Sequence, residues 1–491
     1  MHEEKRSETI EFVLDGKVIR VRDLPPTLTV LEYLRENAHR TGTKEGCAEG
    51  DCGACTVVLG ELTEDRSRVR YYAVNSCIRL LPTIDGREIV TVESLRNANG
   101  SLHPVQQALL DQHGSQCGFC TPGFVMSLFA LYLECEAPDR DRVVEALSGN
   151  LCRCTGYRPI IDAGCRMHRY PRPLRWSREE AHDSAHIDTL RSLRRTSPLR
   201  LPGFFAPRTT DELATVIEAE PAAVLLAGGT DIGLWITKQL RELPAIIYIG
   251  EVEELKRIRA DSHAITIGAA ASLTDAWQAI IAAYPQLAEI AKRFGSPPVR
   301  HSGTLCGNIA NGSPVGDSMP VLMALEAQLE LRRGSQTRHV AIERFYIGYQ
   351  HKDLAPGEFL ASVTVPLPRP GQRVAAYKVS KRFEQDISAI CGAFSMTLDG
   401  DHAAAVRIAY GGMAAVPARA RAAEAALEGR PFSEQSVSAA IASLAEDFRP
   451  ITDLRASSGY RMKIAGNLLR RFYCEQLAMV PRTRTADAVR P

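Results

Sequence analysis

The stretch Gly46-Cys47-Ala48-Glu49-Gly50-Asp51-Cys52-Gly53-Ala54-Cys55, with Cys77 after 21 further residues, decides how this chain is read. Its spacing is Cys-x4-Cys-x2-Cys…Cys, the plant-type arrangement for a [2Fe–2S] cluster. Each iron takes two bridging sulfides and two thiolates. A tight loop presents three thiolates, and the fourth must arrive from a separate element. Gly46, Gly50 and Gly53 let the backbone wrap closely and aim N–H groups at sulfur. A zinc loop or a set of buried thiols is the other reading. The spacing suits a zinc knuckle poorly, and the glycines have no use in a core.

Around this loop the pattern is a small mixed sheet. Ile10, Phe12 and Leu14 alternate, Asp15-Gly16 signals a turn, and Val18, Ile19 and Val21 follow, so residues 9–21 predict a hairpin. Val30, Leu31 and Leu34 carry helical spacing. Short strands are expected at Thr56–Leu59 and Val69–Val74.

From about His103 the period changes to helical. Val105, Ala108 and Leu109 predict one helix, and Phe124 to Leu133 another, just after Thr121-Pro122-Gly123. Val143, Val144 and Leu147 predict a third, and Ile160-Ile161 starts a fourth. This unit carries Cys117-x2-Cys120 and, 31 residues later, Cys152-x-Cys154. Two close pairs can bind zinc, although Cys-x-Cys is unusual for a zinc ribbon. Beside a plant-type loop, a second [2Fe–2S] cluster is the better reading. Helix N-termini would stabilise thiolates at such positions. Cys135 and Cys165 remain over and read as ordinary buried thiols.

The whole chain has 491 residues, 45% hydrophobic and 24% charged, with Lys+Arg 59 against Asp+Glu 58. That length predicts three or four domains. A net charge of +1 makes no global case for nucleic acid or an anionic membrane. No long uncharged apolar run predicts a membrane span, and no signal-like core follows Met1 to Arg6, so a cytoplasmic protein is expected. Ten of the thirteen cysteines lie between Cys47 and Cys165. Without a secretory signal, such clustering points to metal or redox chemistry rather than disulfides.

Arg166, Arg169, Arg172, Arg175 and Arg178 open a basic stretch to about residue 200. It reads as a solvated linker, able to lie across an acidic partner surface, rather than a nucleic-acid tail, because no aromatics interleave as stacking platforms. Beyond Phe204 a mixed α/β pattern follows. Strands are expected at Val224–Leu226, Ala245–Ile249 and Ile265–Ile267. From about Val374 a further α+β unit has strands at Ala375–Val379, Ala393–Leu398 and Val406–Tyr410, and helices at 418–428 and 434–446. Leu225-Leu226-Ala227-Gly228-Gly229-Thr230-Asp231 follows a strand and is by itself a weak phosphate signal. It is not Gly-x-Gly-x-x-Gly, so no Rossmann fold is expected. The small, hydroxyl-rich run from Thr304 through Gly307, Asn308 and Ser313 to Asp317 would let backbone amides approach a pyrophosphate.

Gly46 to Cys55, then Gln116-Cys117-Gly118-Phe119-Cys120-Thr121-Pro122-Gly123, then Gly149-Asn150-Leu151-Cys152-Arg153-Cys154-Thr155-Gly156-Tyr157 resemble the iron–sulfur region of the molybdenum hydroxylases. That family includes xanthine dehydrogenase, aldehyde oxidase and bacterial relatives. The resemblance covers about 9–165 and 204–475 and implies an α+β multidomain protein. Its expected parts are a β-grasp ferredoxin-like domain (7–92), a four-helix iron–sulfur domain (93–167), a basic linker (168–200), a vanillyl-alcohol-oxidase-like FAD domain (201–370) and an α+β flavoprotein C-terminal domain (371–480). It implies that Cys47, Cys52, Cys55 and Cys77 hold one cluster and Cys117, Cys120, Cys152 and Cys154 the other. Gln116 and Cys154 would face a pterin.

For FAD the resemblance implies Leu225, Leu226, Ala227, Gly228, Gly229, Thr230 and Asp231 in a first loop. A second has Thr304, Gly307, Asn308, Ser313 and Asp317. Many relatives have Glu where Asp231 stands. Phe294 is spaced to lie near the isoalloxazine, with core packing as its other reading. Lys381 and Asp386 belong to a segment, 380–388, that resembles one closing over the flavin. Arg419 and Arg421 follow Tyr410-Gly411-Gly412-Met413 and read as solvated. The domain order, and the end of the chain before any molybdenum site, resemble the small subunit of split bacterial family members. The expectation is therefore an electron-transfer subunit of the xanthine dehydrogenase kind. It would work with a large molybdopterin–molybdenum subunit in a dimer of heterodimers and use NAD as acceptor, without nucleic acid or membrane. An aldehyde or N-heterocycle dehydrogenase with another acceptor is the alternative.

Overall fold

A computed structural model describes residues 8–97, 99–173, 176 and 184–479. Contacts divide the chain into two compact units. The first comprises residues up to Glu253 together with Ser296–Gly303, and the second Glu254–Gly295 and Thr304 onward. The expected flavin segment, 201–370, therefore contributes to both.

In the first unit, β1 (Ile10–Leu14) and β2 (Lys17–Val21) form the expected hairpin. Asp15 and Gly16 both take positive φ, as a two-residue hairpin turn demands. With β3 (Thr56–Leu62), β4 (Val69–Asn75) and β5 (Glu88–Val90) they make a sheet of order β2-β1-β5-β3-β4, in which β1 and β5 run parallel. Phe12, Val57, Leu59, Val74 and Ile89 are buried on it. The helical turn Val30–Glu32 starts at a capping box made by Thr29 and Glu32.

Four helices follow: α1 (Pro104–Asp111), α2 (Thr121–Glu134), α3 (Arg140–Leu147) and α4 (Arg158–Arg166). α2 is apolar almost all round. Phe124, Met126, Leu128 and Phe129 are fully buried, so it is the core helix against which the others pack. Cys165 is exposed and Cys135 half-buried, which corrects their reading as buried thiols. An α4 position facing outward leaves Cys165 in solvent, whereas Ala163 and Gly164 face inward.

The basic segment is only partly a linker. α5 (Ser184–Leu193) packs Ile187, Leu190 and Leu193 onto Val13 and Val69 of the first sheet. Beyond it Arg195 is buried against Asp85, with Nε to Oδ2 at 2.5 Å. Arg194 bonds Glu253 at 2.6 Å, so acidic groups of the chain itself take up these arginines. Arg175 and Arg178 lie outside the described residues. The rest of the unit is a second sheet of order β6-β7-β9-β8, built from β6 (Leu199–Leu201), β7 (Phe204–Ala206), β8 (Val224–Leu226) and β9 (Ile246–Tyr248). It carries α6 (Thr210–Ala219) and α7 (Ile232–Thr237).

The second unit holds a five-stranded and a four-stranded sheet, both antiparallel. One runs Ile258–Ala260, Ala264–Gly268, Phe359–Pro366, Gln328–Arg333, Gln336–Ala341. The other runs Arg373–Val379, Ile390–Asp399, His402–Gly411, Ala418–Arg419. The latter buries Phe394, Ile408 and Tyr410 against helices Glu434–Asp447 and Ser458–Gln476. Residues 418–419 form an edge strand, and the helix expected from 418 begins at Arg421. Arg419 is buried between Glu343 and Glu424, which corrects its reading as solvated, while Arg421 stays exposed. No helix among the described residues is long and apolar enough to cross a membrane.

Candidate functional site

The first cysteine loop folds around its own sulfurs. Ala48, Gly50 and Gly53 take positive φ, which turns the chain back on itself. The N–H groups of Glu49 and Cys52 then point at Cys47 Sγ, at 3.4 and 3.3 Å. Cys77 arrives from the end of β4, and its thiol lies within hydrogen-bond reach of Cys47 and Cys55; Cys52 reaches Cys47. Cys55 and Cys77 are fully buried. Hydrogen bonds from Cys52 and Cys77 hold the Cys47 thiol well below the usual range. The same sharing pushes Cys52 and Cys77 up. All four predicted residues thus come together.

The second set also assembles, as two pairs. Cys120, the N-cap residue of α2, meets Cys152, and Cys117 meets Cys154. Burial, then the Cys152 hydrogen bond, pushes the Cys120 thiol up to about 12. Burial works against ionising Cys152, but hydrogen bonds from Thr155 hold its thiol below the ordinary value. The backbone N–H of Cys152 is held by Tyr157 Oη at 3.0 Å. Cys117 and Cys154 are exposed, as are Gln116, Phe119 and Leu151.

No group of three or more His, Cys, Asp or Glu among the described residues is arranged to hold a single metal ion. Thiols that meet in pairs suit a binuclear iron–sulfur core, where each iron needs two.

The two loops interlock. Leu151 N–H donates to Cys52 O at 3.0 Å. Asn150, which is buried, donates from Nδ2 to Gly53 O at 3.1 Å and accepts Ser127 Oγ–H at 2.6 Å. Side chains have no room here: a Cβ on Gly53 would lie 2.1 Å from Gly149 O, and one on Gly123 2.1 Å from Gly53 O. Asn150 and Ser127 tie the two loops together, a role that cysteine spacing does not reveal; in the sequence Asn150 stands out only as part of the motif around Cys152.

The expected flavin residues fall in both units. In the first unit Leu225 and Leu226 lie in β8, and Ala227 to Asp231 form the half-buried turn before α7. Gly228 abuts the Ser302 carbonyl so closely that a Cβ would lie 1.8 Å from it. Gly229 has φ +76°. Among the described residues no acceptor meets the N–H groups of Gly228, Gly229 or Thr230. Successive unspent backbone donors suit an anionic group such as a dinucleotide pyrophosphate.

In the second unit Thr304 caps the helix Leu305–Asn311, accepting from Gly307 N–H at 2.9 Å. Asn308 Oδ1 accepts from Ser318, Ser313 Oγ accepts from Val315 N–H, and Phe294 packs on Trp277. Asp317 is buried, with Lys378 Nζ at 2.8 Å from Oδ2 and Ser388 Oγ at 2.5 Å from Oδ1. Lys381, read from sequence, is exposed and bonds Leu454 O, and Asp386 accepts from Arg382 N–H. Neither is among the groups bonded to Asp317. Lys378, three residues earlier, is its partner, and sequence reasoning missed it.

Family models match four consecutive stretches. They are described as 2Fe-2S iron-sulfur cluster binding domain (residues 12–81), [2Fe-2S] binding domain (91–165), FAD binding domain in molybdopterin dehydrogenase (198–368) and CO dehydrogenase flavoprotein C-terminal domain (375–476). The chain is 31% identical to the xanthine dehydrogenase of Emericella nidulans over 99% of its own length, and 28% identical to aldehyde oxidase 4 of Cavia porcellus over 95%. It spans 40% and 39% of those proteins, about two fifths of their length. Among solved structures it resembles a carbon monoxide dehydrogenase chain from Hydrogenophaga pseudoflava, with 30% identity and a TM-score of 0.52. That match covers 55% of this chain and 94% of the other. A quinoline 2-oxidoreductase chain from Pseudomonas putida shares the fold at 22% identity, with a TM-score of 0.52 and coverage of 57% and 99%.

Proposed function

Because the chain belongs to the molybdenum hydroxylase family, carrying its two 2Fe–2S domains and its FAD-binding domain, we propose that it is the electron-transfer subunit of a xanthine dehydrogenase. In this reading a partner subunit oxidises hypoxanthine or xanthine to urate at a molybdopterin–molybdenum site, and NAD is the final acceptor. The clusters supply one-electron carriage, and FAD supplies the conversion of single electrons to a hydride.

The residues do the rest by position. Cys117, Cys120, Cys152 and Cys154 would hold the outer cluster, and Cys47, Cys52, Cys55 and Cys77 the inner one. Asn150 and Leu151 hold the two loops in contact. Gly228, Gly229 and Thr230 offer N–H donors to the FAD pyrophosphate. Asp317 is held ready by Lys378 and Ser388 to orient the ribityl or ribose hydroxyls. The half-exposed second set would receive electrons, since Gln116 and Cys154 sit on its open side.

The observation that carries this reading is the assembly of two complete four-thiol sets in one compact unit, joined through Cys52 and Leu151. Xanthine as substrate is supported by the relatives of that name, one matching 99% of the chain. The test is iron, sulfide, flavin and molybdenum analysis of the native complex, with turnover assayed on xanthine and on aldehydes. NAD-linked xanthine oxidation only with the large subunit present is the expected result. Turnover of aldehydes alone would replace the substrate, and a chain free of flavin would remove the reading.

A further inference from the structure

We propose that the contact between Ile78 and the Gly229–Gly233 segment sets electron exchange between the inner cluster and the flavin, and that Gly233 is the positioning residue that permits it. The inference rests on the reading that Cys77 is a cluster ligand and that Gly228–Asp231 holds FAD.

Ile78 directly follows Cys77 and is buried. Its carbonyl lies so close to the start of α7 that a Cβ on Gly233 would sit 2.7 Å from Ile78 O and 2.8 Å from Ile78 Cβ. A Cβ on Gly229 would sit 3.0 Å from the same oxygen. On the other side, the Ile78 side chain reaches into the cysteine loop, where a Cβ on Gly50 would lie 2.5 Å from Cδ1. Ile78 is therefore a wedge between the inner cysteine loop and the first flavin turn. Leu31, Cys55, Cys77 and Ile78 form one buried apolar cluster, with Leu234 of α7 packed on it.

A second tie runs parallel to it. Thr237 Oγ1, at the end of α7, donates to Ala48 O at 2.7 Å, and Ala48 follows Cys47. Two segments adjacent to inner cysteines are thus held on one short helix that opens from the flavin turn. A glycine inside a helix is destabilising relative to alanine. At Gly233 that cost is matched by an approach no side chain allows. A cluster held by Cys47, Cys52, Cys55 and Cys77 would supply electrons singly, and a flavin held at Gly228–Asp231 would take up two of them with protons from water; Ile78 and Gly233 would fix the distance between the two.

The test uses the full, cofactor-loaded chain. Gly233→Ala must push Ile78 and α7 apart, because its contacts would fall on backbone and Cβ atoms. Flavin–cluster electron exchange is followed after rapid photoreduction, and the power saturation of the flavin radical reports its distance from the paramagnetic cluster. Gly459→Ala, with no atom near its added Cβ, is the control. With FAD and iron retained, Gly233→Ala is expected to slow exchange about tenfold and weaken the relaxation effect. Thr237→Val should do the same more weakly, and Thr237→Ser should restore it. Wild-type exchange and relaxation in a fully loaded Gly233→Ala chain would overturn the proposal. If that variant loses its cofactors, the Thr237 pair decides, and equal behaviour of Val and Ser with wild type overturns it. A wild-type chain that binds FAD but shows no exchange would remove the underlying reading, and the inference with it.

Discussion

The backbone N–H of Leu151 donates to the carbonyl of Cys52 at 3.0 Å. One hydrogen bond thus separates a residue of the inner cysteine set from the neighbour of Cys152 in the outer set. The two sets still differ in setting: the inner one includes buried Cys55 and Cys77, the outer one exposed Cys117 and Cys154. Cluster potentials follow hydrogen bonding and exposure, so two distinct centres are expected. Cys52→Ser should alter one electron paramagnetic resonance signal and Cys152→Ser the other. A single signal altered by both changes would contradict the assignment.

Asn150 joins the ferredoxin-like and helical parts through Gly53 O and Ser127 Oγ. Asn150→Ala leaves the Gly53 carbonyl its bonds from Thr56 N–H and Oγ1 but strands the buried Ser127 hydroxyl, at a cost of ~1–3 kcal/mol. We expect a lower unfolding midpoint and slower intercluster electron transfer, with the eight cysteines intact. Asn150→Asp should be worse than a surface change such as Gln116→Ala, because it replaces the donor to Gly53 O with an acceptor. Equal midpoints for all three variants would show that the amide is idle.

Much of this was legible in the sequence, for identifiable reasons. β1 and β2 follow from alternation at Ile10, Phe12 and Leu14 and from a turn that needs positive φ. The cysteine sets follow from spacing, because ligand chemistry tolerates few spacings. Lys378 did not follow. Its pairing with Asp317 depends on where the strand Arg373–Val379 sits, which no local pattern encodes, and Lys381 in the adjoining loop looked equivalent. α5 was hidden by its arginines, although Ile187, Leu190 and Leu193 carry helical spacing. The helix Ser458–Gln476 carried the same signal in Ala465, Leu468, Leu469 and Phe472.

Arg195 shows why the basic segment is not free to vary. Its guanidinium bonds both oxygens of buried Asp85 and the carbonyl of Thr9. Burial pushes the Asp85 carboxyl above its usual value even though Arg195 pulls it down. Removing one partner leaves the other charge buried, a cost of ~3–5 kcal/mol. Arg195→Ala should therefore destabilise the first unit strongly, whereas Arg191→Ala, on the exposed side of α5, should be nearly silent. Replacing Arg195 and Asp85 together by apolar residues should recover part of the loss. Thermal unfolding of the three variants checks this, and an Arg195→Ala midpoint equal to that of Arg191→Ala would refute it.

His103 makes the helical iron–sulfur domain sensitive to acid. It is fully buried, and its Nδ1 accepts the Val105 N–H at 3.2 Å as the cap of α1. Nε2 has no hydrogen-bond partner among the described residues. Burial, then the nearby His168, lowers its pKa from 6.5 to about 3. His168 is itself lowered, chiefly by burial. A protonated ring would turn the cap acceptor into a donor facing another donor. The unfolded chain binds this proton below about pH 6.5, and the folded one only near pH 3. Stability is therefore full above pH 6.5 and falls as pH drops toward 3, at up to ~1.4 kcal/mol per unit. His103→Asn keeps a cap acceptor without the titration. It should lower stability at pH 7, where the ring's packing on Phe129 and Tyr132 is lost, yet flatten the decline between pH 6.5 and 5. Urea midpoints of the helical signal at several pH values would measure both effects. An unchanged acid slope in His103→Asn would place the sensitivity elsewhere, first in His168, which stacks on Tyr132 at 4.2 Å.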